Sequence, residues 1–191
     1  MMRALLLMSL GLISATQLAR AEIDREVIDP ELRHVLREAA ESADSFPDRF
    51  EAEVWLTDMS QRLARQVPDT EERMLILRLV HRYARMFELP PELVLAVIDV
   101  ESNFDRYAIS YAGALGLMQV MPFWRKEIGR PEDDLHDIQT NLLYGCRILA
   151  YYLEKENGDR RAALARYNGS RGQRWYPDRV FNRLGSKWYQ Y

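Results

Sequence analysis

The sequence predicts a mainly α-helical protein. Apolar residues recur at intervals of three and four through most of the chain, Pro falls between those stretches or at their starts, and no segment alternates apolar and polar residues as a half-buried strand would. With 191 residues, 48% of them hydrophobic and 29% charged, the chain can bury one core and is too mixed for a disordered tail or a low-complexity fibre. Its single cysteine, Cys146, excludes an internal disulfide framework and any multi-cysteine zinc or iron-sulfur site.

Residues 1–21 read as a secretory leader. Arg3 precedes an apolar run from Ala4 to Ala15, and Ala19-Arg20-Ala21 supplies the small-residue cleavage pattern. The run is shorter than the roughly 20 residues of a membrane span, with a retained anchor as the alternative, and no cysteine follows it that could carry a lipid. Amphipathic helices are then expected over Glu31–Ala43 and Pro47–Val67, with Leu32, Val35, Leu36 and Ala39, then Phe50, Val54, Trp55, Met59 and Leu63, on their apolar faces. Pro68-Asp69-Thr70 breaks the pattern and caps a third helix running to about Phe87.

Pro90-Pro91-Glu92 opens a fourth helix whose nearly all-apolar stretch, Leu93 to Val100, marks it as central and buried. After Glu101 the composition turns to Ser, Asn, Asp and Gly as far as Gly113, followed by a short segment from Leu115 to Met121 that Pro122 ends. A long helix is expected over Gln139–Glu156 and stops at Asn157-Gly158. A short helix over Arg160–Tyr167, a turn at Asn168-Gly169-Ser170 and a last amphipathic piece over Val180–Trp188 complete the chain. No internal repeat is evident.

A net charge of -3 speaks against a chain that is basic throughout, as many nucleic-acid binders are. Its distribution is uneven, however. Glu22 to Leu75 holds 15 acids and 7 basic residues, whereas Arg160 to Tyr191 holds 8 basic residues and one acid, Asp178. Such asymmetry fits a basic face for an anionic partner, and it fits equally an ordinarily solvated terminal helix.

Glu101 stands at the C-terminal end of the most hydrophobic helix, where the helix dipole gives a carboxylate no support. Burial against apolar neighbours raises a carboxyl pKa toward the value a general acid needs. Downstream, Gly113-Ala114-Leu115-Gly116-Leu117-Met118-Gln119 lets backbone approach a ligand, and Arg166-Tyr167-Asn168-Gly169 puts a phenol and an amide at a helix end. Each block alone is common.

In this order and approximate spacing the blocks resemble the catalytic domain of soluble-type (SLT) lytic transglycosylases, glycoside hydrolase family 23, relatives of goose-type lysozymes. The resemblance rests on Glu101-Ser102 with Phe104, on Gly113-Ala114 with Gly116-Leu117-Met118-Gln119, and on Tyr167-Asn168-Gly169, and covers roughly Leu89 to Phe181. It implies a lysozyme-like helical domain over 71–191, preceded by a helical extension over 22–70. It further implies that Glu101 is the single catalytic acid and base, that Ser102, Met118 and Gln119 bind substrate in the groove, and that Tyr167 and Asn168 help place the carboxyl and the substrate's N-acetyl group. Arg166 and Ser170 depart from the family's usual residues at the third block.

A lone acid fits that chemistry. Asp99 precedes Glu101 by two residues and so lies about 200 degrees round the helix, while Asp105 is placed to cap a turn. With no second carboxyl, the substrate's own acetamido group serves as nucleophile. By resemblance, the enzyme cleaves the β-1,4 bond between N-acetylmuramic acid and N-acetylglucosamine in peptidoglycan glycan strands. It closes a 1,6-anhydro ring, in the periplasm or cell envelope. A hydrolytic muramidase and a non-catalytic peptidoglycan-binding envelope factor are the alternatives. No cofactor, metal, nucleic acid or membrane span in the mature chain is implied; an envelope machinery partner is left open.

His34, His81 and His136 are scattered without ligand spacing and are expected to be structural, as is Cys146. Among the aromatics, Trp175 and Tyr176 are the candidates for a sugar-stacking platform.

Overall fold

A computed structural model describes His34 and residues 44–189. The expected leader and, apart from the helical His34, the helix over Glu31–Ala43 lie outside the described residues. The chain divides into two compact units, 1–34 and 35–191, and the architecture below is that of the second.

Four of its helices begin the same way. In α1 (Arg49–Leu63), α2 (Thr70–Met86), α5 (Ile138–Lys155) and α6 (Arg160–Tyr167), an aspartate stands just before the first turn: Asp48, Asp69, Asp137 and Asp159. Each carboxylate accepts from backbone N–H groups that the helix cannot satisfy and adds a favourable charge at the positive end of the dipole. The third helix, α3 (Pro91–Glu101), starts on Pro90-Pro91, which need no such donor. Every residue from Leu93 to Asp99 in α3 is buried. It packs against α2 on one side and, on the other, against α7 (Trp175–Arg183) and the π-helical turn Leu184–Trp188 that extends it.

The helix α1 belongs to the same packed body. It lies on α2 and touches the π-helical turn; Trp55 Nε1 donates to Glu92 at 2.9 Å, and Arg62 donates to the Lys187 carbonyl at 2.6 Å. The buried Arg73 of α2 holds the intervening turn by donating to Ser60 Oγ and to the carbonyls of Val67 and Pro68. The described part of the segment expected as a helical extension therefore contributes to the core directly, through Trp55, Leu56, Met59 and Leu63.

Between α3 and α5 the chain runs through loops, broken only by the short helix α4 (Trp124–Ile128), which the sequence pattern does not reveal. Among the described residues there is no strand. The Leu115–Met121 segment is instead a tight loop pinned by two isolated bridges, Ile109 to Leu115 and Leu115 to Val120. The last amphipathic helix begins five residues earlier than the apolar pattern suggests, at Trp175 rather than Val180. Pro177, which looks like a break, sits in its first turn, where no N–H is required.

The buried side chain of Asn141, on α5, holds the tight loop. Its Oδ1 accepts from Met118 N–H at 2.8 Å, while Nδ2 lies 2.8 Å from the Leu115 carbonyl and 2.7 Å from that of Leu135. Gly116 makes this approach possible. At φ +72° it occupies the left-handed region, and a Cβ there would sit 2.5 Å from the Leu135 oxygen and collide with the Asn141 amide. We expect Gly116→Ala to cost about 2–4 kcal/mol, lowering the melting temperature by roughly 5–10 °C. Thermal unfolding followed by circular dichroism measures it, and an unchanged melting temperature refutes this account of the loop.

Candidate active site

The arrangement of α3 leaves Glu101 at its C-terminal end, mostly withdrawn from water. Tyr176, from the first turn of α7, donates its hydroxyl to Glu101 Oε1 at 2.6 Å. Burial pushes the Glu101 carboxyl up to about 7; the Tyr176 hydrogen bond and the Arg179 guanidinium, both favouring the ionised form, hold it from rising further. At neutral pH the group is thus divided between acid and carboxylate, a state that suits both giving and taking a proton.

The next residue fastens the helix end to the loop. Ser102 donates through Oγ to the Leu117 carbonyl at 2.8 Å and accepts from Phe104 N–H at 3.1 Å. Asn103 and Phe104 both take positive φ, 52° and 67°, a turn fixed by the Gln66 amide on Asn103 Oδ1 and by burial of the Phe104 ring against Trp188, 5.5 Å between centroids. Tyr167 approaches the same loop from α6 and donates to the Met118 carbonyl at 2.7 Å. Burial, and after it the Glu101 charge, hold the Tyr167 hydroxyl well above its ordinary pKa, so it remains a donor. The three sequence blocks meet in one place.

Each side chain has its own set of partners. Tyr167 touches the loop, and the phenol in contact with the carboxyl is Tyr176, which is only 1% exposed and cannot serve as a stacking platform. Met118 is wholly buried; a Cβ on Gly145 of α5 would come within 2.3 Å of its sulfur, so its side chain packs closely against α5 beneath the loop. Gln119, at φ 50°, spends Nε2 on the carbonyls of Gly116 and Ala108, 2.9 and 3.2 Å away, which leaves its Oε1 acceptor for a ligand. Asn168 closes α6 with its side chain partly open to solvent. Trp175, of the two stacking candidates, is the one open to solvent: about half exposed, edge-on to Tyr176 at 5.9 Å between ring centroids, with Nε1 held by Gln173 Oε1.

Neither nearby acid is available as a second carboxylate. Asp99 is buried and receives Trp188 Nε1 at 3.0 Å and Gln66 Nε2 at 3.2 Å, with Arg183 and Lys187 at 3.5 and 3.6 Å. Asp105 accepts from Tyr107 N–H at 2.8 Å in the expected turn. His81 is stacked on Phe46 and bonded to Ser45 Oγ, with its pKa lowered by burial to about 4. His136 faces the Arg106 carbonyl, and burial pushes the Cys146 thiol far up. Among the described residues no group of three or more His, Cys, Asp or Glu side chains could hold a metal ion.

Tyr176 and Asn141 escape a reading of sequence blocks. Asn141 did leave a signal: it is a polar residue on the apolar stripe of its helix, with Ile138, Leu142 and Gly145 as neighbours. The sequence names Tyr176 as a stacking candidate and carries no signal of its contact with Glu101.

Comparison with known proteins agrees with this geometry. A family model described as the transglycosylase SLT domain matches residues 78–184. The membrane-bound lytic murein transglycosylase C of Actinobacillus pleuropneumoniae serotype 5b (strain L20) is 35% identical over 112 residues, 50% of this chain and 31% of that protein. Its namesake in Haemophilus ducreyi is 36% identical over 112 residues, 50% of this chain and 30% of that protein. The chain therefore spans less than a third of the length of these relatives.

Two outcomes follow from the Glu101 environment. Since its folded pKa of about 7 exceeds the ordinary value of 4.5, the cost of ionising it is absent below pH 4.5 and develops as pH rises through 7. Glu101→Gln is expected to be more stable than the wild type at pH 8, by on the order of 2 kcal/mol, with the advantage vanishing at pH 4; denaturant unfolding at both values tests it, and equal stability at pH 8 refutes it. Tyr176→Phe removes a bond to the ionised form, so the Glu101 titration followed by carboxyl NMR should move upward, whereas an unmoved or lower midpoint refutes the assigned contact.

Proposed function

Since this chain belongs to the transglycosylase SLT-domain family, we propose that it is a peptidoglycan lytic transglycosylase, cleaving the β-1,4 bond between N-acetylmuramic acid and N-acetylglucosamine without consuming water. The observation that carries this reading is the single half-ionised carboxyl, with the nearest acids in sequence already committed elsewhere. In a two-carboxylate glycosidase the second group would stand about 5–9.5 Å away to attack the sugar or activate water. Here the substrate supplies that nucleophile.

Protonated Glu101 gives its proton to the glycosidic oxygen, and the bond from that oxygen to the muramyl C1 breaks. The 2-acetamido oxygen closes on C1 from the other face and holds the positive charge. Glu101, now a carboxylate, takes the proton of the muramyl 6-hydroxyl; O6 attacks C1, the acetamido group is released, and a 1,6-anhydro ring forms. The acid is restored. Tyr176 stabilises the carboxylate between the two proton transfers, and its own raised pKa keeps its proton out of the exchange. Gln119 Oε1 is the acceptor offered to the acetamido N–H, and Trp175 the apolar face offered to a sugar ring.

We place this activity in the cell envelope, where the substrate is found. The relatives' printed name, membrane-bound, agrees; no helix among the described residues is long and apolar enough to cross a membrane.

Digestion of purified sacculi, with products identified by mass, tests the reading. Anhydro-muropeptides are expected, whereas reducing ends would make the protein a muramidase. Glu101→Gln should lower turnover by at least about a thousandfold while retaining binding to sacculi, because the amide is isosteric and cannot transfer the proton. Near-normal turnover of that variant removes Glu101 from the mechanism.

A further inference from the structure

Beside Glu101, α7 and the π-helical turn present Arg179, Asn182, Arg183 and Ser186 on one face, at intervals of three, four and seven residues. Together with Asp99 and Val100 of α3 they line a crevice of about 260 Å³. Its chemistry is one-sided. Elsewhere in the C-terminal region, Arg161 is paired with Asp178 and Arg166 with Glu156. In the crevice, one buried carboxylate, Asp99, faces two cations, Arg183 and Lys187, and already receives the Trp188 and Gln66 donors. The exposed Arg179 adds a third positive charge, close enough for Glu101 and Tyr176 to feel it.

We infer that this crevice is a carboxylate subsite, where Arg179 and Arg183, with the neutral donors Asn182 and Ser186, take a free carboxylate of a peptide stem while Glu101 acts on the sugar that bears the stem. The inference rests on the peptidoglycan reading given above. A guanidinium is the group suited to a carboxylate, since its planar fork matches both oxygens, and a surplus of positive charge in a recess is less screened than on an open face. Arg183 meets Asp99 through Nε at 3.5 Å with about half its side chain exposed, so a second carboxylate can approach from solvent.

Initial rates on glycan strands with intact stems, and on the same strands stripped of stems by an amidase, test the assignment for the wild type, Arg183→Gln, Arg183→Lys and Arg179→Gln. The wild type is expected to show the lower KM on stem-bearing strands, an advantage that shrinks as salt is added. Arg183→Gln should reduce the ratio of the two KM values by about tenfold, with Arg183→Lys recovering only part of it, since an ammonium keeps the charge and lacks the fork. Arg179→Gln leaves the Asp99 contacts untouched and should reduce the same ratio, which keeps the test open if Arg183→Gln does not fold. Equal KM values for the wild type on both strands, or losses equal on both strands in the glutamine variants, overturn the subsite while leaving the proposed reaction standing. Failure of the wild type to cleave either strand overturns the reaction, and the subsite with it.

Discussion

The interaction between Glu101 and Tyr176 is the one around which the rest of the site is arranged. A carboxyl group at the C-terminal end of a helix receives no help from the dipole, and partial burial makes its ionised form costly. A single phenol at 2.6 Å and a more distant guanidinium offset part of that cost. A stronger partner, such as a buried salt bridge, would drive the group to a permanent carboxylate; no partner at all would leave it a permanent acid. The intermediate outcome depends on how far Tyr176 and Arg179 stand from α3, and so on the contact of α7 with α3.

Much of the remaining polar chemistry serves one loop. Residues 115–120 belong to no helix and no sheet, so their backbone groups lack a regular ladder, and side chains supply the partners. Ser102 takes the Leu117 carbonyl, Asn141 the Leu115 carbonyl and the Met118 N–H, Tyr167 the Met118 carbonyl, and Gln119 the carbonyl of Gly116. These residues come from α5, from the end of α3, from α6 and from the loop itself. The three blocks that looked separate along the chain form one hydrogen-bonded unit, and their side chains are spent on the protein's own backbone more than on a ligand.

That explains what could be seen in advance. Helices were legible because Asp caps, Pro starts and apolar stripes are local signals: α2, α3, α5 and α6 begin and end within a residue or two of the positions expected. Glu101 was legible because its surroundings were written in the ten residues before it. The start of α7 was not, since Pro177 acts as a breaker or as a first-turn residue according to what precedes it. Met118 was assigned to the groove, and Tyr167 to the placing of the carboxyl and the N-acetyl group, through their place in a motif, but a motif does not say whether a residue's side chain or its backbone is used. Tyr176 lies 75 positions from Glu101, and only the packing of α7 on α3 brings them together.

The pair Asp99 and Glu101 shows how differently two neighbouring acids can be surrounded. They stand two residues apart on one helix, yet Asp99 turns toward α7 and the π-helical turn, where Trp188, Gln66, Arg183 and Lys187 surround it. Several charges in the basic C-terminal stretch are thereby answered within the chain, by Asp99, Asp178 and Glu156. Arg179 is set between the two acids: near enough to Glu101 to lower the cost of its ionised form, and beside the crevice that Asp99 floors. An anion held there and an ionised Glu101 compete for the same positive charge. In the proposed reaction, a carboxylate bound in the crevice would therefore favour the protonated form of Glu101, the form with which cleavage begins.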